Sequence, residues 1–326
     1  MTGKKTTGEK TLMLFSGRAH PALADEVAHQ LDIAVSPTQI RDFADGEIYA
    51  RFQESVRGCD AFVIQSMTMP INQWFMETLI MCDALKRGSA KRITMVVPYY
   101  PYSRQDKKHL GREPISARLV ADLYKTAGAD RILTVDLHTS QIQGFFDGPV
   151  DHMFALPLLA DHIEREYGTD NLAVVAPDSG RVRVAERWAE RLGNTPLAFI
   201  HKTHDINVPN SVVANRVVGD VKDRTCILVD DMIDTAGTIT AAAEALFNAG
   251  ALDVIVAATH GVLSGPATDR LKNSRIREVI LTNTLPLGPD QEFDKLTVLS
   301  IAPLIAQAIN AVFADGSVTS LFDGNA

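Results

Sequence analysis

The stretch Ile227–Ile239, which reads ILVDDMIDTAGTI, joins an apolar strand to a turn of small residues and the start of a helix. Ile227–Val229 form a short apolar run typical of buried parallel strands, so Asp230 and Asp231 are expected at its carboxyl end. In α/β proteins, ligands bind at the carboxyl ends of parallel strands. The stretch therefore predicts an α/β fold with a binding site at this strand end.

The turn that follows the two carboxylates is suited to binding an anion. Its residues are Thr235, Ala236, Gly237 and Thr238. They offer backbone N–H groups and two hydroxyls at the start of a helical pattern, where such groups lack partners within the helix. The carboxylates remain to accept hydrogen bonds from sugar hydroxyls or to hold a metal-bound water. We expect a site for a phosphorylated sugar; the alternative is an acidic strand end that only caps the next helix.

Composition limits the class of protein. The 326 residues are 46% hydrophobic, enough for a large core and about two domains. The formal charge of −8 argues against general binding to nucleic acids or anionic membranes. No apolar run approaches the ~20 residues of a membrane span, and residues 1–11 lack the apolar core of a signal peptide, so we expect a cytoplasmic protein. Cys59, Cys82 and Cys226 form no C-x-x-C pair and are expected to be buried thiols.

Short apolar runs alternate with amphipathic stretches along the chain, as where Leu172–Val175 is followed by Val182–Leu192. This alternation predicts parallel strands covered by helices on both faces. The runs fall into two groups that meet near residues 148–161. We therefore expect two similar doubly wound parallel-sheet domains, residues 1–155 and 156–326, with a cleft between them for a second substrate.

Positive charge in the first half is concentrated at Pro98–Arg112, which reads PYYPYSRQDKKHLGR. Arg104, Lys107 and Lys108 lie there among tyrosines and glycine or proline breaks, as expected of a loop that reaches a polyphosphate. The alternative is an ordinary solvated run of charges. A second predicted strand closes at His138, which could ligate a metal, contact phosphate or serve only structure.

The stretch Val229–Ile239 resembles the phosphoribosyl-diphosphate-binding loop that type I phosphoribosyltransferases share with ribose-phosphate diphosphokinases. Other motifs extend the resemblance to the phosphate-activated class of the second family over nearly the whole chain. They are RDFADGE at Arg41–Glu47, ESVRG at Glu54–Gly58, PYSRQDKK at Pro101–Lys108, DLHTSQIQGFFD at Asp136–Asp147, APDSGRVR at Ala176–Arg183, HKTH at His201–His204 and SVTSLF at Ser317–Phe322. Simple phosphoribosyltransferases lack most of these, so the first-half motifs favour the diphosphokinase family and two domains of the type I phosphoribosyltransferase kind.

The resemblance implies a reaction. The 1-hydroxyl of ribose 5-phosphate would attack the β-phosphorus of ATP, so that 5-phosphoribosyl 1-diphosphate forms for nucleotide biosynthesis and AMP leaves. Such a reaction needs positioning and charge neutralisation, and Mg²⁺ would offset the charge on the phosphates. The Mg²⁺ would be positioned by His138 and Asp178.

The resemblance also implies which residues bind each substrate. Asp230 and Asp231 would accept from the ribose 2- and 3-hydroxyls. The 5-phosphate would be held by Asp234, Thr235, Ala236, Gly237 and Thr238. The contacts to ATP would be Phe43, stacked on adenine, with Asp45, Gly46, Glu47, Arg104, Gln105 and His138. The turn for the diphosphate would be Asp178, Ser179, Gly180 and Arg181.

The family's catalytic loop follows a K-x-R pattern that reads Lys202-Thr203-His204 in this chain. Lys202 matches the first position, whereas His204 replaces the arginine. A histidine keeps a hydrogen-bond donor but titrates near neutrality, and it cannot make the two-pronged contact of an arginine. The polar, proline-broken residues 203–210 are expected to form a mobile loop that closes over the phosphates.

Regulation is implied only by the resemblance. The family binds inorganic phosphate as an activator and ADP as an inhibitor, between subunits of a homohexamer built from dimers. It also donates the Phe43 loop from a neighbouring subunit. The matching effector positions in this chain are Ser55, Arg57, Lys108, Gln143, Asp151, Ser317 and Phe322.

Two other functions fit parts of the sequence. A catalytically silent regulatory subunit would keep the fold and depart at the catalytic loop, as His204 does; against it, Lys202, His138, Asp178 and the DTAGT turn are all retained. A plain phosphoribosyltransferase would consume the diphosphate sugar together with a base and would have no use for ATP. An assay for AMP with ATP, ribose 5-phosphate and Mg²⁺ separates the three.

Overall fold

The computed structural model describes residues 4–7, 10–203 and 214–322. The chain divides into two compact units. The first comprises the residues up to Phe154, together with Thr284–Pro286 and the segment from Ser300 onward. The second comprises Ala155–Asn283 and Leu287–Leu299.

The first unit is built on a mostly parallel sheet. Its strands are β1 Lys4–Thr7, β2 Lys10–Ser16, β5 Asp60–Ile64, β6 Arg92–Val96, β7 Arg131–Val135 and β8 Val150–Met153, and they lie side by side in that order. β1 is antiparallel to β2, and the other neighbours are parallel. A separate antiparallel hairpin consists of β3 Thr38–Asp42 and β4 Ile48–Phe52. The helices are α1 Pro21–Gln30, α2 Ile71–Arg87, α3 Ser116–Ala127 and, from the chain's end, α8 Ala302–Phe313.

The second unit repeats this plan. Its strands lie in the order β11 Ala214–Val218, β10 Leu197–Thr203, β9 Leu172–Ala176, β12 Thr225–Ile233, β13 Asp253–Gly261, β14 Glu278–Thr282 and β15 Leu296–Leu299. Only β11, at one edge, pairs antiparallel among the described strands of this sheet. The helices are α4 Leu156–Tyr167, α5 Val182–Arg191, α6 Gly237–Asn248 and α7 Ala267–Lys272. Strands buried along their length, such as β9, are the continuous apolar runs expected of a parallel sheet covered on both faces.

The predicted α/β fold with parallel sheets is confirmed. The hairpin β3–β4 was not among the predicted elements, because its residues alternate too weakly in hydrophobicity to indicate strands. The predicted buried thiols are also confirmed: Cys59, Cys82 and Cys226 are all free and buried. In residues 4–7, 10–203 and 214–322, no helix is both long and apolar enough to cross a membrane.

The C-terminal segment differs from the predicted division of the chain at residue 155. α8 packs against α1 and belongs to the first unit, so that unit is discontinuous in sequence. Buried apolar residues of α8, such as Ile305 and Ile309, complete the packing. Ion pairs fix the segment that follows: Asp315 pairs with Lys10 and with Arg92, and Arg92 also binds the buried Asp60.

This network gives a testable difference between its two carboxylates. Arg92→Met should lower the free energy of unfolding by about 2 kcal/mol, because it leaves the buried Asp60 without its partner. Asp315→Asn should cost much less, because Asp315 is exposed to water. Urea denaturation of both variants measures the difference, and equal losses would mean that burial of Asp60 is not what makes Arg92 important.

Candidate functional site

The two carboxylates of the predicted sugar site lie within β12 and not beyond its end. β12 pairs with β13 as far as Ile233, but with β9 only as far as Leu228. β9 ends at Ala176, so the last part of β12 has no β9 partner along that edge. The turn that follows β9 lies beside this open edge and brings its side chains to the carboxylates.

Arg181, from that turn, contacts both carboxylates. Its Nη2 donates to Asp231 Oδ1 at 2.5 Å, and its Nε lies 3.3 Å from Asp230 Oδ1. All three side chains are largely buried. Two adjacent buried carboxylates repel each other, so the guanidinium between them stabilises the pair.

Asp230 has a strongly perturbed ionisation. Burial, followed by the charge of Asp231, raises the pKa of Asp230 well above its usual range, and Arg181 partly opposes the rise. Perturbed carboxyl groups of this kind are concentrated at functional sites. Sequence alone predicted the pair of carboxylates but not the arginine that joins them.

The DTAGT turn leads from β12 into the N-terminus of α6. Ala236 adopts a left-handed backbone conformation with φ of 60°, and α6 begins at Gly237. The turn is braced by Ser264, whose N–H donates to the Asp234 carbonyl at 3.0 Å. Thr235 and Thr238 are exposed at the helix N-terminus. This geometry is that of an anion-binding helix start.

Arg270 of α7 is a residue that sequence analysis did not select. Its Nη1 donates to the Thr235 carbonyl at 2.9 Å. A Cβ at Gly237 would lie 3.2 Å from the same nitrogen, so glycine leaves room for the guanidinium there. A lone arginine in a short helix carries no sequence signal for this contact.

The predicted diphosphate turn is a short 3-10 turn, Ser179–Arg181, that enters α5. Asp178 caps it, because Asp178 Oδ1 accepts a hydrogen bond from the Gly180 N–H at 2.9 Å. Ser179 and Gly180 are exposed. The backbone of the turn is therefore open to a ligand, whereas the Arg181 side chain contacts Asp230 and Asp231.

The catalytic-loop residues are only partly described. The backbone of Lys202 lies in β10, opposite Asn215 of β11. β10 runs from Leu197 to Thr203, so Lys202 lies near its end. The predicted loop begins at Thr203, which ends β10. His204 and the rest of that loop, residues 204–210, lie outside the described residues.

In the first unit, two predicted loops meet at Asp106. Arg104 and Gln105 are exposed in the loop after β6, and His138 follows β7. The buried Asp106 accepts hydrogen bonds from Thr139 Oγ1 at 2.8 Å and from Gln141 Nε2 at 2.5 Å. It therefore joins the two loops, although the sequence shows it only as an acid within a basic run.

The hairpin tip carries the predicted adenine contacts. Phe43 is exposed and packs edge-on against Tyr49, with ring centroids 6.2 Å apart. Arg41 stacks on both rings at 5.0 Å. Gly46 turns the chain with φ of 92°, and the Glu47 N–H donates to Asp45 Oδ1 at 3.1 Å. An exposed aromatic ring held in place in this way suits stacking on a base.

Three of the predicted effector residues line one cavity of about 140 Å³ in the first unit. They are Gln143, Asp151 and Phe322, and His152 and Phe154 lie among the other lining residues. Phe154 packs edge-on against Phe322 at 5.6 Å, and Asp151 pairs with Arg131 at 2.5 Å. The other predicted effector residues do not line this cavity; they are Ser55, Arg57, Lys108 and Ser317, all exposed.

His138 and Asp178 are the two residues that the sequence assigns to Mg²⁺. No group of three or more His, Cys, Asp or Glu side chains converges within the described part of the chain. Mg²⁺ commonly takes one or two protein carboxylates and completes its shell with water and phosphate oxygens. The partly exposed Asp178 fits that role. His138 follows β7 and could supply a nitrogen ligand.

Comparison with known proteins gives matches over nearly the whole chain. A family model described as the N-terminal domain of ribose phosphate pyrophosphokinase matches residues 12–128. A second, described as a phosphoribosyl synthetase-associated domain, matches residues 203–323.

Individual proteins are similar over the same extent. A ribose-phosphate pyrophosphokinase of Streptomyces coelicolor is 69% identical over 323 residues, 99% of each chain. One of Mycobacterium tuberculosis is 68% identical over 321 residues, 98% of each chain. The crystal structure of phosphoribosylpyrophosphate synthetase from Mycobacterium smegmatis has 67% identity and a TM-score of 0.89, and the match covers 94% of this chain and 99% of that one.

The raised pKa of Asp230 predicts the sign of a stability change. The folded protein retains a proton that the unfolded chain releases, so stability falls as pH rises from about 3.9 towards the raised value. Asp230→Asn removes this loss, and its urea midpoint should exceed the parent's by more at pH 7 than at pH 4.

Asp315→Asn is the control of opposite sign. Lys10 and Arg92 lower the pKa of Asp315 to about 2, so its ionised form stabilises the fold above its ordinary pKa. This variant should therefore have a lower midpoint than the parent at pH 7. A midpoint gain for Asp230→Asn that is independent of pH would exclude the ionisation as its cause.

Proposed function

The chain belongs to the ribose-phosphate pyrophosphokinase family, and from that premise we propose how its residues divide the reaction between them. It is an enzyme that forms 5-phosphoribosyl 1-diphosphate and AMP from ATP and ribose 5-phosphate. The observation that carries the assignment of roles is the junction of β12 and α6, where paired carboxylates and an anion-binding helix start lie next to each other.

At this junction we assign the sugar phosphate. The 5-phosphate accepts from the backbone N–H groups and hydroxyls of Thr235–Thr238, and Asp234 borders the turn. Asp230 and Asp231 accept from the 2- and 3-hydroxyls. These contacts hold the sugar phosphate in one orientation, so that its 1-hydroxyl is the attacking oxygen.

The diphosphate of the reaction lies over the turn Asp178–Arg181. Two observations support this: Ser179 and Gly180 are exposed, and Arg181 of the same turn donates to Asp231. A bound Mg²⁺ would offset charge on the phosphates, and His138 and Asp178 would hold it.

ATP is bound by first-unit residues. Phe43 stacks on adenine, Asp45, Gly46 and Glu47 surround its edge and ribose, and Arg104, Gln105 and His138 contact the phosphates. The exposure of the Phe43 ring and of the Arg104 loop supports this assignment. The Phe43 loop acts in the site of a neighbouring subunit, as in the family that the sequence resembles.

Lys202 stabilises the charge that develops on the transferring group. It precedes the loop that contains His204, and His204 takes the place of the family arginine as a donor to the closing phosphates. The continuation of β10 through Lys202 supports a fixed starting point for that loop.

Phosphate and ADP are proposed effectors, and a homohexamer is the proposed assembly. The cavity that joins Gln143, Asp151 and Phe322 supports an effector site. Ser55, Arg57, Lys108 and Ser317 do not line it and are assigned to effector binding by the resemblance alone. We place the enzyme in the cytoplasm, with neither nucleic acid nor membrane as partner. The charge of −8 and three buried free thiols support that placement.

The test of the function is direct. Purified protein with ATP, ribose 5-phosphate and Mg²⁺ should form AMP and 5-phosphoribosyl 1-diphosphate in equal amounts. Chromatography measures both products. Omission of the sugar phosphate or of Mg²⁺ should abolish AMP formation. Formation of ADP in place of AMP would show transfer of a single phosphoryl group and contradict the mechanism. Absence of any turnover would instead favour the silent regulatory subunit.

Two substitutions separate binding from catalysis. Asp230→Asn should raise KM for ribose 5-phosphate and leave KM for ATP nearly unchanged, because only the sugar loses an acceptor. Lys202→Ala should lower kcat by about 100-fold, the scale of a lost transition-state charge donor. The exposed Lys222, changed to Ala, is the matched control and should behave as the parent. An unchanged KM for ribose 5-phosphate in Asp230→Asn would remove the role assigned to that residue.

A further inference from the structure

Arg18 lies at the carboxyl end of β2, where the backbone comes unusually close to a neighbouring side chain. A Cβ on the preceding Gly17 would lie 2.3 Å from the amide group of Gln65, so a larger residue there would require the Gln65 side chain to shift. Gln65 follows β5, the parallel neighbour of β2. Gln65 Oε1 accepts from the Ala19 N–H at 3.1 Å, which fixes the chain on the far side of Arg18.

A buried carboxylate determines the direction of the Arg18 side chain. Glu77 of α2 has no exposed surface and accepts from the Arg18 backbone N–H at 2.7 Å and from Arg18 Nε at 2.6 Å. Gln65 Nε2 donates to the same carboxylate at 2.9 Å. A buried charge with three donors holds its partner in one orientation far better than an exposed pair does.

The outer edge of the guanidinium binds the hairpin. Arg18 Nη2 donates to Asp42 Oδ1 at 2.6 Å, and Nη1 donates to Asp42 Oδ2 at 3.0 Å. Asp42 is the last residue of β3 and directly precedes Phe43. One side chain thus connects α2, through Glu77, to the residue beside the exposed phenyl ring.

The two ends of the hairpin are fixed by different means. Near its base, Phe52 packs on Phe15 with ring centroids 4.6 Å apart, and the Ser36 N–H donates to the Leu14 carbonyl at 2.7 Å. At the tip, Phe43 and Tyr49 contact Arg41 of the hairpin itself. α2 packs against β4 and supports that strand of the hairpin. The Arg18–Asp42 pair adds a contact at the end of β3, next to the tip.

We propose that Arg18 is a positioning residue for ATP, which holds the hairpin tip in the place where Phe43 receives adenine. The inference rests on the proposed function, in which the hairpin binds ATP. Arg18 does not contact the nucleotide; it acts through Asp42, and the forked geometry of arginine is required because Nε and the two Nη atoms face different carboxylates.

Steady-state kinetics of the full-length protein test this role. Asp42→Ala is the main variant, because Asp42 is exposed and its loss leaves the Arg18–Glu77 pair intact. It should raise KM for ATP about fivefold to tenfold and change KM for ribose 5-phosphate less than about twofold. Arg18→Lys should have a similar effect on ATP, because an ammonium group cannot bind both carboxylates in this fork.

Controls separate positioning from a general loss of structure. Arg87→Met, which removes only an exposed ion pair with Asp83 in α2, should leave both KM values as in the parent. In a double-mutant cycle, Arg18→Lys with Asp42→Ala should be no worse for ATP than the more damaging single variant, because both break one contact. Additive effects would overturn the inference.

Phe43→Ala distinguishes failure of this inference from failure of the proposed ATP site. If Phe43→Ala raises KM for ATP while Asp42→Ala leaves it unchanged, the hairpin binds ATP without help from Arg18, and the inference is wrong. If Phe43→Ala also has no effect, the assigned ATP site is wrong. Equal rises of both KM values in Asp42→Ala would show a structural role in place of a positioning one.

Discussion

The proposed sugar-phosphate site depends on the unequal pairing of one strand. β12 is supported by β13 along its whole length and by β9 only to Leu228, so its final residues are held on one side and open on the other. That geometry brings two carboxylates into a largely buried position without sealing them. It also makes an internal cation necessary, and Arg181 from the turn after the shorter strand supplies it. The DTAGT turn then starts where pairing with β13 ends, and α6 begins directly after it at Gly237.

In the first unit, too, the candidate binding residues follow the ends of parallel strands, but their side chains differ. Its parallel strands also end in loops at one edge of the sheet, but basic and aromatic side chains take the place of carboxylates and a helix start. Buried acids organise these loops: Asp106 joins the loops after β6 and β7, and Glu77 orients the arginine after β2. In each case a buried acid accepts hydrogen bonds from side chains that follow a neighbouring strand. The charge balance of the whole chain is acidic, so the cationic surface needed for nucleotide phosphates is local.

The sequence predicts those parts of the molecule that are encoded by neighbouring residues. Apolar runs identify the parallel strands, and ILVDDMIDTAGTI identifies a strand, a turn and a helix start in one segment. It does not predict that β12 continues through Asp230, because that extension depends on a partner strand elsewhere in the chain. It does not predict Arg270 or Arg18, whose partners are Thr235 and Glu77. Nor does it place α8, whose apolar face fits either unit by pattern alone and is assigned only by its packing on α1.

The three buried cysteines have a practical consequence for the study of this protein. Burial raises the pKa of Cys59 to about 11 and those of Cys82 and Cys226 to about 12. Their thiolates are therefore scarce at neutral pH, and alkylating reagents reach them only when the surrounding structure opens. Two of these thiols belong to the first unit and Cys226 to the second. The native chain thus contains its own reporters of local opening, and the rate at which each thiol is labelled measures how often its unit exposes its interior.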